Sequence, residues 1–147
     1  MTKPNLLACA LLLSFSVSLS AQDWPGWRGA KGDGQIATEI LPETLPEQLN
    51  SVWKLEVGSG YSGPVVAGEL VFIHTGASDQ EVVQALKLST GKQVWHQNNA
   101  APFKRNQYAV KHGAGPFATP RVHGGQLFTV GINGLLRSFQ ADNGKVL

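Results

Sequence analysis

Cysteine is almost missing from this chain. Cys9 is the only one among 147 residues, and it sits in a leader that export would remove. A mature chain without cysteine has no disulfide to support it, even in an oxidising compartment. A charge excess is missing as well. There are 12 Lys and Arg against 10 Asp and Glu, and loss of Lys3 with the leader narrows the balance to one positive charge. That argues against a nucleic-acid or membrane-surface role, which needs a basic excess. No apolar run reaches the roughly 20 residues of a membrane span. The longest, Leu6 to Leu19, is broken by serines. Outside the leader no segment carries a helical period. There is no nucleophile elbow, phosphate loop or paired carboxylate set, so no catalytic residue is assigned. His74, His96 and His123 stand alone, without a partner at metal-ligand spacing. His74 follows an apolar run and reads equally well as a hydrogen-bonded edge residue.

The leader has recognisable parts. Lys3 supplies a positive start, the apolar stretch follows, and Ser18-Leu-Ser20 and Leu19-Ser-Ala21 place small residues before the polar Gln22-Asp23. This order is that of a secretory signal peptide over residues 1–21. Cys9 does not make a lipoprotein box, because the apolar stretch comes after it. The expected organisation is a signal peptide (1–21), an extended N-terminal arm (22–50) and a repeat region (51–147). The mature protein is expected to be periplasmic or extracellular, with no membrane span.

The repeat region is written twice. Tyr61-Ser-Gly-Pro-Val-Val-Ala-Gly-Glu-Leu-Val-Phe returns as Phe117-Ala-Thr-Pro-Arg-Val-His-Gly-Gly-Gln-Leu-Phe. Ala85-Leu-Lys-Leu-Ser-Thr-Gly-Lys-Gln-Val-Trp95 returns from Ser138 to Leu147. Trp53 precedes Trp95 by 42 residues, within the roughly 40–45 of a four-stranded propeller blade. In copy one, strands are expected near Ser62 to Ala67, Leu70 to His74, Glu81 to Leu88 and Gln93 to His96. In copy two, Asn133-Gly134 is a strong hairpin signal. The nearly all-apolar Leu70–Ile73 run suits a strand covered on both faces. A unit of this kind cannot bury its own apolar face and is built to be stacked. The expected fold is all-β: a propeller of four-stranded antiparallel blades, with about two blades plus an N-terminal closing strand around Trp53, and so an incomplete ring.

The Ala85–Trp95 stretch resembles the repeat of pyrroloquinoline-quinone-type β-propellers, close to Ala-x-Asp-x-x-Thr-Gly-x-x-x-Trp. Ala85, Thr90, Gly91 and Trp95 carry the match, with Gly144 in copy two. Lys87 and Gln140 stand where that family usually has Asp, and Asn143 stands for Thr. The resemblance implies that Trp95 and Trp53 pack between neighbouring blades. Asp23-Trp-Pro-Gly-Trp-Arg-Gly29 resembles the mature N-terminus of exported proteins of this group, where Trp24, Trp27 and Arg28 would tie the arm to the propeller. Dehydrogenases of this family hold pyrroloquinoline quinone and calcium, often with an adjacent-cysteine disulfide. No residue here matches those ligands, so quinone and calcium are expected only if the full-length protein is such a dehydrogenase.

Chemistry is expected on loops of one propeller face. Thr75 to Gln80 is one, and the insert Gln97 to Gly115 the other. Within the insert, Lys104, Arg105, Tyr108, Lys111 and His112 form a small basic, aromatic-containing set suited to an anionic or sugar-like ligand or a protein partner. The leading expectation is an exported, non-catalytic scaffold or binding module, similar to the outer-membrane assembly factor of this fold. The alternative is the N-terminal part of a quinone-dependent alcohol or polymer dehydrogenase whose catalytic residues lie elsewhere.

Overall fold

The structure is a computed structural model that describes residues 22–36, 42–103 and 114–147. Those residues form no helix. They make two antiparallel sheets, each a simple meander. The first contains β1 (Val65–Ala67), β2 (Leu70–Ala77), β3 (Gln80–Lys87) and β4 (Gln93–Ala100), in that order. The second contains β5 (Arg121–His123), β6 (Gln126–Val130) and β7 (Leu136–Gln140), with Val146 bridging back onto Phe139. These are blades of a β-propeller.

Several strands run further than the apolar pattern foretold. β2 continues through Thr75-Gly76-Ala77, and a two-residue turn, Ser78-Asp79, leads straight into β3. Thr75 to Gln80 is therefore mostly strand and not an open loop. β4 continues through Ala100, so Gln97 to Ala100 belong to the blade and not to the insert. The Asn133-Gly134 hairpin is also wider than a two-residue turn. Gly131 N–H donates to Leu135 and Gly134 N–H to Gly131, and only Gly134 takes a positive φ.

The repeated Gly-containing turns are built identically. Lys87 and Gln140 carbonyls accept from Gly91 and Gly144 N–H, at 2.8 Å each, and their own amides donate to Lys92 and Lys145. The turn closes through the backbone at Lys87 and Gln140.

Strand alternation places Phe72, His74 and Gly76 on one face of β2. Across the ladder they meet Ala85, Val83 and Glu81, and beyond these Trp95, Gln97 and Asn99. The lower half of this face is apolar. Phe72, Val83, Ala85 and Trp95 pack with Val65 against Leu127 and Phe139 of the second blade. The Trp95 ring lies 6.1 Å from Phe139 and 6.0 Å from Phe72, and such aromatic contacts add to simple area burial.

The inner edges of both blades are capped by the arm. Trp24 exchanges two 2.9 Å backbone bonds with Val66 of β1, and Pro25 carbonyl accepts from Val122 of β5 at 2.7 Å. Asp23 Oδ1 accepts from Gly68 N–H, and the Arg121 guanidinium reaches the Gly29 and Ala30 carbonyls. Edge amides left bare would be open to foreign strands, and the arm covers part of that edge on each blade.

Candidate functional site

Both motif tryptophans dock on a glycine turn in the same way, Trp95 across the junction of the two blades and Trp53 from a segment outside the strands onto the first blade. Trp95 Nε1–H donates to Ala141 carbonyl at 2.9 Å, and its ring covers Gly144, where a Cβ would lie 2.5 Å from Cε3. Trp53 Nε1–H donates to Leu88 carbonyl at 2.7 Å, and its ring covers Gly91, with a Cβ 2.7 Å from Cδ2. Gly91 and Gly144 also hold φ of 67° and 73°, so both backbone angle and space require glycine. Ala85 lies beneath Trp95 in the ladder. Thr90 Oγ1 accepts from Lys92 N–H within the turn.

The five-residue basic set fares differently. Lys104, Arg105, Tyr108, Lys111 and His112 lie outside the described residues. The segments on either side of them are anchored. Ala101 N–H donates to Asp79 carbonyl at 2.8 Å, and the Ser59 hydroxyl donates to Ala114 carbonyl. Beside this anchorage, Tyr61 and Phe117 stack at 5.1 Å and 7°. They are repeat equivalents, each leading into an innermost strand. Both rings are about half exposed, at 54% and 55%.

The upper half of the blade junction is polar, and here the structure brings together residues that no motif or spacing connects. His74 and Glu81 are 1% and 2% exposed. His74 Nε2 lies 3.4 Å from Glu81 Oε2. Glu81 Oε1 accepts from the Ile132 N–H of the next blade at 2.7 Å, and a Cβ on Gly131 would run into Oε2. Arg137 of β7 donates to Asn99 Oδ1 at 2.7 Å while its guanidinium lies 4.8 Å over the Phe139 ring, a favourable placement for a cation. His74 is thus not an edge residue. It lies in the interior strand β2, paired with Val83. Burial lowers its pKa from the ordinary 6.5, and the Arg137 charge adds to that effect. The Glu81 charge and hydrogen bond oppose it without overcoming it. His74 is therefore neutral at pH 7, with Nε2–H donating to the carboxylate, and its buried Nδ1 has no partner.

The carboxylates of the described residues do not converge. Glu81 is held by His74 and Ile132, Asp23 by Gly68, and Asp33 by Gln35 N–H within its own turn. Among the described residues, no three His, Cys, Asp or Glu come together to hold a metal. This donor set does not fit calcium, and no step through a quinone–calcium centre is derived from it. Two open clefts flank the arm. One, of about 700 Å³, runs beneath the blade-end turns and is lined by Phe72, His123 and Asp142. The other, of about 490 Å³, is lined by Trp24, Trp27 and Arg28.

Stacked meanders locked by a repeated Trp-on-Gly contact define a propeller repeat protein. The family described as outer membrane protein assembly factor BamB matches at residues 43–97 and 80–147, and the chain belongs to this family of PQQ-like repeats. The crystal structure of BamB from Moraxella catarrhalis is similar at 22% identity and a TM-score of 0.45, over 65% of this chain and 29% of that one. A europium-containing methanol dehydrogenase is similar at 22% identity and a TM-score of 0.41, over 61% of this chain and 15% of that one. This chain thus spans less than a third of either neighbour. No relative among curated proteins matches. Among the described residues no helix is long and apolar enough to cross a membrane.

Proposed function

We propose that this chain belongs to an exported, non-catalytic propeller scaffold that presents its insert-bearing face to a protein partner. The observation that carries the reading is the use made of the repeated side chains. Trp95 and Gly144 join the first blade to the second, Trp53 and Gly91 tie the preceding segment to the first blade in the same manner, and the insert follows the first copy on one face. A rigid stack with variable loops on one side is the arrangement by which repeat proteins offer an extended binding surface. The match to a family described as an assembly factor supports a protein partner over a small molecule. The insert sequence carries Lys104, Arg105, Tyr108, Lys111 and His112, a set suited to a partner with anionic groups, and the Tyr61–Phe117 stack is half exposed on the same side as the insert's anchorage. The leader supports export, with cleavage after Ser20 or Ala21.

A photo-crosslinking residue at Phe117 in the exported full-length protein tests this. One defined protein partner should be captured there and not from a control position at Asp142, on the opposite end of the blade. A calorimetric titration with pyrroloquinoline quinone and calcium should show no saturable binding. Saturable quinone binding that requires calcium, with no partner at Phe117, would replace this reading by the dehydrogenase one.

A further inference from the structure

We propose that His74 and Glu81 form a pH-sensitive latch between the first and second blades, closed at neutral pH and released in acid. The pair is not part of the repeat. His74 corresponds to Val130 in copy two, and Glu81 to Gly134. A blade of this type therefore folds without either group, and a buried imidazole and carboxylate at this one junction call for a separate reason. The geometry supplies it. Glu81 is the only side chain of the first blade that accepts a backbone N–H of the β6–β7 loop among the described hydrogen bonds, through Ile132. Its other oxygen faces His74. The latch therefore joins β2 and β3 to the loop of the next blade through one carboxylate.

Adding a proton to His74 disturbs this in three ways. Nδ1, now a buried donor, gains no acceptor, and an unmet buried donor is costly. The new positive charge sits in a buried junction, with His74 1% exposed. It also draws Glu81 toward the imidazolium and away from Ile132. Of the charged groups that act on His74, Glu81 on β3 favours the proton and Arg137 on β7 opposes it. In the His74 row β4 contributes the neutral Gln97, with the neutral Asn99 in the Glu81 row beside it, and the β6–β7 loop contributes backbone.

The sign follows from linkage. His74 in the unfolded chain takes up its proton near 6.5, while burial holds the folded value below that. The unfolded chain therefore binds more protons as the pH falls below 6.5. Stability present above 6.5 is lost as the pH drops from there toward the folded value.

The test compares the exported full-length protein with its His74→Gln variant, which keeps a donor for Glu81 but cannot titrate. Urea unfolding is followed from pH 8 to pH 5, with amide exchange protection read at Ile132. Below pH 6.5 the wild-type unfolding constant should rise more steeply than that of the variant, by up to tenfold per pH unit, the effect of one proton. Ile132 should lose protection in the same window, while amides inside the β2–β3 ladder keep theirs. Equal slopes for the two proteins would overturn the latch. If His74→Gln does not fold, the ring resonances of wild-type His74 serve instead. Titration below 6.5 together with Ile132 opening supports the proposal, and titration at or above 6.5, or with Ile132 still protected, overturns it.

Discussion

Placing alanine beneath a docked tryptophan separates two costs that usually come together. Gly144→Ala forces a side chain into the left-handed region, φ 73°, which costs roughly 1–2 kcal/mol. It also drives a Cβ to within 2.5 Å of the Trp95 ring, an overpacking cost of about 1–3 kcal/mol. Gly124→Ala is the control, with φ 55° and nothing within 4 Å of its Cβ, so only the backbone cost applies. Trp95→Ala removes a ring that is 8% exposed and its bond to Ala141, at about 3–5 kcal/mol. In the double variant the clash has nothing to strike, so Gly144→Ala should cost no more than Gly124→Ala. The expected coupling is about 1–3 kcal/mol, the size found for residues in direct contact. Urea unfolding followed by far-UV circular dichroism measures all four proteins. If Trp95→Ala leaves too little folded material, the half-buried Trp53–Gly91 pair gives the same cycle. Strict additivity, or a Gly144→Ala cost equal to that of Gly124→Ala, would refute the docking argument.

Other outcomes follow from the same contacts. Glu81→Ala leaves Ile132 N–H without its acceptor and should lower stability by roughly 1–3 kcal/mol, read by urea unfolding at pH 7.5. Deleting 97–112 removes the half of β4 that pairs with Gln80 to Val83, so it should broaden or abolish the cooperative melt. An insert that were only loop would cost little closure entropy. Arg121→Ala frees the arm from the Gly29 and Ala30 carbonyls. It should speed trypsin cleavage after Arg28 while lowering stability by less than about 1 kcal/mol. Intact mass of the exported product should begin at Ala21 or Gln22, and retention of Met1 would contradict export.

The features that were legible in the sequence are the ones written locally. Trp53, Gly91, Trp95 and Gly144 belong to a short recurring motif, and two copies at blade spacing fix the all-β propeller. Strand ends were less legible, since Thr75-Gly76-Ala77 and Gln97 to Ala100 have no apolar alternation. They stay in the ladder because Ser59 bridges Gly76, Arg137 of the second blade holds Asn99, and the Asp79 carbonyl fixes Ala101 just beyond β4. Glu81 was hidden for a related reason. A carboxylate at the start of a strand reads as solvent-facing, and its burial is decided by a backbone amide 51 residues away. The one available signal was comparison of the copies, in which His74 and Glu81 replace Val130 and Gly134.

The Trp-on-Gly contact is also directional. The first blade carries a ring, Trp95, that reaches forward and a glycine turn, Gly91, that receives a ring from behind, so the two sides of a junction are different surfaces. A head-to-tail interface of this sort, in contrast to a two-fold one, has no built-in stopping point. It extends until the rotation per unit brings the last surface round to the first. Gene duplication therefore lengthens such a protein without inventing a new contact, because each added unit arrives with both halves of the joint. The number of blades is then set by the angle of that joint, and a residue that tilts Trp95 against Gly144 changes the geometry of the whole circle.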